Sequence, residues 1–328
     1  MDPDAIVASW GHDWREALPS RSAAEQSALL AEARRAVGRL QEAARTDGRS
    51  GHALHRKTLV ETSNAAFEVS SAIPRSLQVG PFLPNAAWTA AVRLSSAFPV
   101  ARPDDVPDQR GIGVHIVDHE RRLDLLATTS EAHHARDARA MIASLDAAAS
   151  AARGGVAGRI RALATLIGAL GVGDALRLTR TVARAAERGV SLASMEFYSR
   201  APFQLGELVV RYRFAPERDV DVVIRGTGPN ALADDLRLRL TEGPVRWSFE
   251  LQGYLDRVRT PMDDHRIPWQ SPWLPVARLT VTETSASPVP MALRAAPSWP
   301  ASNGPVLEPL GDLNMLRGAA YEVSQRGR

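Results

Sequence analysis

What most constrains this chain is the order in which two hydrophobic periodicities follow one another along it. Within residues 21 to 46, Leu29, Leu30, Ala33, Val37 and Leu40 recur at helical spacing, which predicts an amphipathic helix. From His55 the period falls toward two. Residues 52–60 leading into 66–69, then Trp88 to Ser95, Arg110 to Val117 and Arg122 to Leu126, read as strands separated by turns. From Ser130 to about Ala193 the chain is alanine-rich and helical, broken at Gly154-Gly155, Gly171 and Gly189 into about three helices. Strand-like segments return at 203–214, 219–225, 237–240, 247–252 and 277–282, and a short helix closes the chain. Strands, helices, strands and a final helix, without the βα alternation of a nucleotide-binding sheet, predict an α+β fold with an antiparallel sheet or barrel.

Composition removes several classes of chemistry. The 328 residues suffice for a sizeable core, with 45% hydrophobic and 23% charged residues. With no cysteine there is no disulfide, thiolate ligand, iron–sulfur cluster or cysteine nucleophile. The net charge of +3, from 40 basic and 37 acidic residues, does not describe a nucleic-acid binder. Met1-Asp2-Pro3-Asp4 lacks the apolar core of a signal peptide, and Ile160 to Leu178 carries Arg161, Asp174, Arg177 and several glycines, so neither a leader nor a membrane span is expected. A cytoplasmic location follows as an expectation. Residues 1–48 are expected to form a helical arm and 49–328 the main domain. The proline-rich segment Ser285 to Pro309 reads as a wrapping arm, around a partner subunit in a homo-oligomer or around its own barrel.

The chemistry-bearing feature is Arg-x-x-x-Tyr at Arg317 and Tyr321, in a short helix announced by Pro309 and Gly311, with Asp312 as the expected N-cap. Four residues apart, the two side chains share one helix face. A tyrosine normally titrates near pH ~10, and an adjacent guanidinium favours its phenolate, a hard anionic ligand suited to ferric iron. On its own the spacing is far more often an ordinary surface pair, because such neighbours arise by chance.

Separated segments supply the context. His55-Arg56-Lys57 leads to Phe67-Glu68-Val69; Val92-Arg93-Leu94-Ser95, Pro107-Asp108-Gln109-Arg110-Gly111, Asp124-Leu125-Leu126 and Ala135-Arg136-Asp137 follow; Glu196 to Gly206 and Pro309-Leu310-Gly311 with Asn314, Arg317 and Tyr321 complete the set. In this order they resemble the catalase superfamily, specifically its short single-domain haem-binding members, over roughly residues 50 to 325. The resemblance implies an α+β fold in which an antiparallel β-barrel with packed helices encloses a haem b. It also implies roles: Tyr321 as proximal iron ligand, Arg317 holding it as phenolate, His55 as distal acid and base, and Ser95 orienting His55. Arg93 would pair with a haem propionate, and His52 stands where the family often has a second propionate-binding arginine. Arg326 and Arg328 are further propionate candidates. Met141 stands where a phenylalanine packs on the porphyrin.

One departure bears on activity. The family's distal asparagine is replaced in Ala127-Thr128-Thr129-Ser130, where Thr128 or Thr129 supplies only a hydroxyl. With Ala132, His133 and His134 in place of bulky aromatics, the resemblance implies a roomier, more polar pocket. The expected activity is therefore peroxide-dependent oxidation of a small organic co-substrate with little catalase activity. The alternatives are an organic (fatty-acid) hydroperoxide isomerase or biosynthetic haem oxidase, and a non-catalytic haem-binding protein. Other candidates read as structural: His115 and His119 as surface residues, His133-His134 as solvated or pocket-lining, Asp263-Asp264-His265 as a loop, Trp269 and Trp273 as packing anchors. Gly111-Ile112-Gly113 and Gly171-Val172-Gly173 lack the context of a dinucleotide fingerprint.

Overall fold

The computed structural model describes residues 2–45, 55, 57–98, 101–117, 122–184, 189–217, 221–285, 303–304 and 306–325. Three helices come first: α1 (Pro3–Ala8), α2 (Trp14–Ala17) and α3 (Ala23–Ala43). Four strands follow: β1 (Thr58–Val69), β2 (Ala87–Ser96), β3 (Arg110–Val117) and β4 (Arg122–Thr128). Then come α4 (Ala138–Ala152), α5 (Gly155–Arg184), β5 (Phe197–Tyr198), β6 (Phe203–Leu205), β7 (Leu208–Pro216), α6 (Ala231–Glu242), β8 (Val245–Gly253), β9 (Trp273–Val281), β10 (Glu308–Pro309) and α7 (Gly311–Gln325).

The strands close on themselves. Following the pairings gives β7-β5-β4-β3-β2-β1-β9-β8 and back to β7, all antiparallel, with β6 and β10 extending from β7. Closure removes the sheet edges that would otherwise pair with other chains. Register shifts in β1 between Thr58 and Val60 and between Thr62 and Ala65 supply the local coiling that a closed sheet needs. Phe67, Phe82, Tyr212, Phe214, Trp247 and Phe249 are all fully buried in one core, with Phe82 stacked on Phe249 at 5.8 Å. Each such ring contributes about 1.5–3 kcal/mol by leaving water.

A helical layer covers one side of the barrel. α3 begins with a capping box, in which Ser22 accepts from the Glu25 amide and Glu25 accepts from that of Ser22. Leu29, Ala33, Ala36, Val37 and Leu40 then face Ile142 and Leu145 of α4 and Leu316 and Ala319 of α7. The many alanines at this seam let the helices approach closely. Two sequence expectations are corrected here. The segment at 237–240 lies in the helix α6, because Leu232 and Leu236 bury a face of period 3.6 that a four-residue window cannot show. Asp312 is not the N-cap of α7 but stands inside its first turn, paired with Arg21.

Candidate active site

A cavity of about 1380 Å³, counted out to its mouth, is bounded by β2, β3 and β4 and by α3, α4 and α7. Strand periodicity builds one wall: Arg93 and Ser95 of β2, Gly111, Gly113 and His115 of β3, and Leu126 and Thr128 of β4 line it at alternate positions. Cross-strand register sets Ser95, Gly111 and Thr128 abreast, and Arg93, Gly113 and Leu126 abreast. Helical periodicity builds the facing wall, with Leu313, Leu316, Arg317, Ala320, Tyr321 and Ser324 on one side of α7 and Met141 and Leu145 one turn apart on α4.

His55 sits in front of the row formed by Ser95, Gly111 and Thr128. Its Nδ1 is 3.0 Å from Ser95 Oγ, and its ring lies so close to Gly111 that an added Cβ there would stand 2.5 Å from Cε1. The residue precedes β1 rather than forming part of it, and its φ of 55° is left-handed, an uncommon conformation for a side chain of this kind. Burial, reinforced by the charges of Arg93, Arg200 and Arg317, pushes its pKa down to about 3, so the imidazole is neutral at physiological pH. Arg93 is engaged within the chain: it donates to Thr58 Oγ1 at 3.0 Å and to the His55 carbonyl at 2.7 Å, and lies 3.4 Å from Glu61.

Across the cavity, Arg317 is fixed by three acceptors. It donates to the carbonyls of Ser199 at 3.0 Å and Leu126 at 3.4 Å and to Asn314 Oδ1 at 3.2 Å. Asn314 in turn donates to the Pro202 carbonyl at 2.7 Å, and the Leu310 amide donates to the same carbonyl, so the start of α7 is tied to the barrel. Burial lowers the proton affinity of Arg317, while Tyr212 and Tyr321 raise it, which places the guanidinium and the Tyr321 phenol in one electrostatic unit.

Some residues arrive where the sequence did not put them. Thr128 lines the cavity, whereas Thr129 faces away and its Oγ1 accepts from the Arg110 amide at 3.1 Å, because adjacent positions leave a strand in opposite directions. His115 is buried against Asp124 at 2.8 Å and lines the cavity; it is no surface residue. His133 lines the cavity, buried, with the half-buried His134 stacked on it at 4.2 Å; desolvation lowers the pKa of both, that of His134 to about 3. Met141 lines the cavity as well, while His52, His119, Arg326 and Arg328 lie outside the described residues. Among the described residues, no group of three or more His, Asp or Glu side chains is placed to hold a metal ion.

Arg200 received no role from the sequence. It lines the cavity with a φ of 58°, its Nη1 is buried without a hydrogen-bond partner among the described residues, and burial beside Arg317 pushes its pKa down to about 9. The only sequence signal for it was membership of the segment Glu196 to Gly206.

No protein-family model matches the chain, and no curated protein sequence matches it. Solved structures do. Catalase A from Saccharomyces cerevisiae aligns with a TM-score of 0.64 at 16% identity, over 84% of this chain and 60% of that one. The fold is that of the catalases. A fungal catalase aligns at TM-score 0.66 and 15% identity, over 84% of this chain and 58% of that one. A bacterial catalase gives 0.54 at 15% identity, over 84% and 57%. The chain therefore spans about three fifths of the length of these catalases. The catalase-like barrel accounts for the placement of the site: closure aligns β2, β3 and β4, and α7 lies across the cavity they wall.

Proposed function

We propose that this cavity holds a haem b on Tyr321 and that the protein is a peroxide-using oxidoreductase acting on a small organic co-substrate. The observation that carries the reading is that one cavity joins a Tyr–Arg pair on α7 with a neutral, serine-held histidine on the barrel. The residues fit the group. Gly111 and Gly113 leave a strand surface without side chains, where a Cβ at Gly113 would meet Leu126 Cδ2 at 3.0 Å. Leu313, Leu316, Met141 and Leu145 offer apolar contact, and the unpartnered Nη1 of Arg200 offers a cation for a carboxylate.

Bound there, a haem would supply the iron chemistry by which peroxides are cleaved. Tyr321 would hold it through the phenolate oxygen, which the Arg317 guanidinium favours over the phenol. His55, neutral because it is buried, would take up a peroxide proton at Nε2, in the tautomer whose Nδ1–H donates to Ser95 Oγ, and hand it on. Thr128 offers the peroxide one hydroxyl donor, fewer than an amide NH₂ would. Dismutation of hydrogen peroxide would then be weak, and the co-substrate would be a small organic molecule admitted through the mouth of the cavity.

A second reading, rearrangement of an organic hydroperoxide bearing a carboxylate, is favoured by the same Arg200 cation; it predicts turnover of such a hydroperoxide with no added reductant. The primary test is the absorption spectrum of haem-supplemented protein beside Tyr321→Phe, before and after peroxide. A ferric tyrosinate spectrum present in the parent and lost in the variant supports the reading. An unchanged spectrum in Tyr321→Phe, or no stoichiometric haem uptake by the parent, overturns it.

A further inference from the structure

The helix α5 is at odds with its surroundings. Gly155–Thr181 is long and apolar enough to cross a membrane by length and composition, yet only 11% of its most apolar stretch is buried in the protein. Val156 is 72% exposed, Ile160 63% and Leu163 41%, and at i, i+4 and i+7 they form one continuous stripe. Beyond the kink, Val172 at 58% and Leu176 at 42% form another. Soluble monomers rarely leave such contiguous apolar faces in water.

The backbone excludes a span. Gly171, at φ 79° and ψ 166°, breaks α5 into arms of residues 155–170 and 172–184, roughly 24 Å and 20 Å long, each shorter than a hydrocarbon core of ~30 Å. Leu166 of the first arm and Ala175 and Leu178 of the second pack with Ala143 and Ala147 of α4, so the bent helix rests its inner face on α4 and turns its outer face to water. Charge identifies the occupant. Among the described residues on or beside α5, Arg153, Arg159, Arg161, Arg177 and Arg180 are all exposed, against one acid, Asp174, which already meets Arg266 at 3.3 Å. Two copies meeting on this face would bring five arginines against five; an anionic surface would neutralise them.

We infer that the bent helix α5 is a membrane-surface element that lies flat on anionic lipid, inserting Val156, Ile160, Leu163, Val172 and Leu176 among the acyl chains while its arginines meet the headgroups. α5 rests on α4, whose Met141 and Leu145 line the cavity, so lipid would lie one helix layer from the site.

The test uses the full chain and sucrose-loaded vesicles of phosphatidylcholine, with and without 30 mol % (roughly one lipid in three) phosphatidylglycerol. The expected result is sedimentation with the anionic vesicles only, weakening as salt rises. Neutralising one exposed arginine, Arg159→Gln, lowers partitioning about fivefold. The triple variant Val156→Asp, Ile160→Asp, Leu163→Asp abolishes it with an unchanged circular dichroism spectrum; should the triple variant misfold, Ile160→Asp alone is read in its place. Equal binding to both vesicle types, no binding to either, or a parent dimer that these variants dissociate overturns the inference, the last by showing that a second copy covers the face. Haem uptake does not enter the measurement.

Discussion

Gly111→Ala isolates the role of His55 without touching it. A Cβ at Gly111 would stand 2.5 Å from His55 Cε1 and 2.8 Å from Nδ1, while remaining 3.4 Å from Ser95 Oγ. Ordinary carbon contacts begin near ~3.5 Å, so the ring must retreat by about 1 Å, and the 3.0 Å contact between Nδ1 and Ser95 Oγ cannot survive such a shift unchanged. A displacement of about 1 Å in a group that transfers a proton costs roughly 10²-fold in rate, or about 2.7 kcal/mol of barrier. Stability falls by no more than about 2.5 kcal/mol: overpacking costs about 1–3 kcal/mol, partly offset by about 0.5–1 kcal/mol because alanine loses less backbone freedom than glycine. The assay is the initial rate of peroxide-dependent oxidation of a chromogenic phenol, with the haem spectrum recorded alongside. We expect a rate loss of about 10²-fold with the spectrum intact, because Tyr321 and Arg317 lie on α7 across the cavity. His55→Gln should lose at least as much, and the double variant little more, since both act through one ring. A Gly111→Ala enzyme within about threefold of the parent would refute the placement of His55 in the reaction.

Two further outcomes follow from the same geometry. Thr128→Asn restores an amide donor beside Gly111 and His55, and should raise hydrogen peroxide dismutation by about tenfold or more, measured as oxygen release; Thr129→Asn, directed at the Arg110 amide, should not. The buried His133 and His265 are held below their ordinary pKa near 6.5, chiefly by burial, His265 at about 3. As pH falls the unfolded chain therefore takes up protons first. The stability these residues contribute is complete above pH 6.5 and is lost below it by about 1.4 kcal/mol per pH unit for each residue. Urea midpoints at pH 7.5, 6.0 and 5.0 should show this fall, and His265→Gln should flatten it by one residue's share.

Most of the elements and their order were legible in the sequence, but not α6, whose residues 237–240 read as a strand, and residues 221–225, also read as strand, form only an isolated bridge at Val223. Period-two runs gave β1 to β4 and β7 to β9, the glycine breaks at 154–155 and 171 gave the boundaries of α4 and of the two arms of α5, and Arg317 and Tyr321 were bound to share a helix face wherever that helix lay. Short-range periodicity suffices for these because each is settled within one turn or one strand. It also forced a choice between Thr128 and Thr129 without deciding it, since alternation says that one faces inward and not which. Barrel closure decided that, by setting Thr128 abreast of Gly111 and Ser95. The pairing of β3 with β4 set His115 against Asp124, which stands directly opposite, and the tertiary fold brought Arg200, 117 positions from Arg317 along the chain, to the same cavity. Burial decided the rest. A histidine or arginine has no fixed proton affinity in a sequence; His55 is neutral, and the proton affinity of Arg200 is lowered, because the folded barrel removes water from around them.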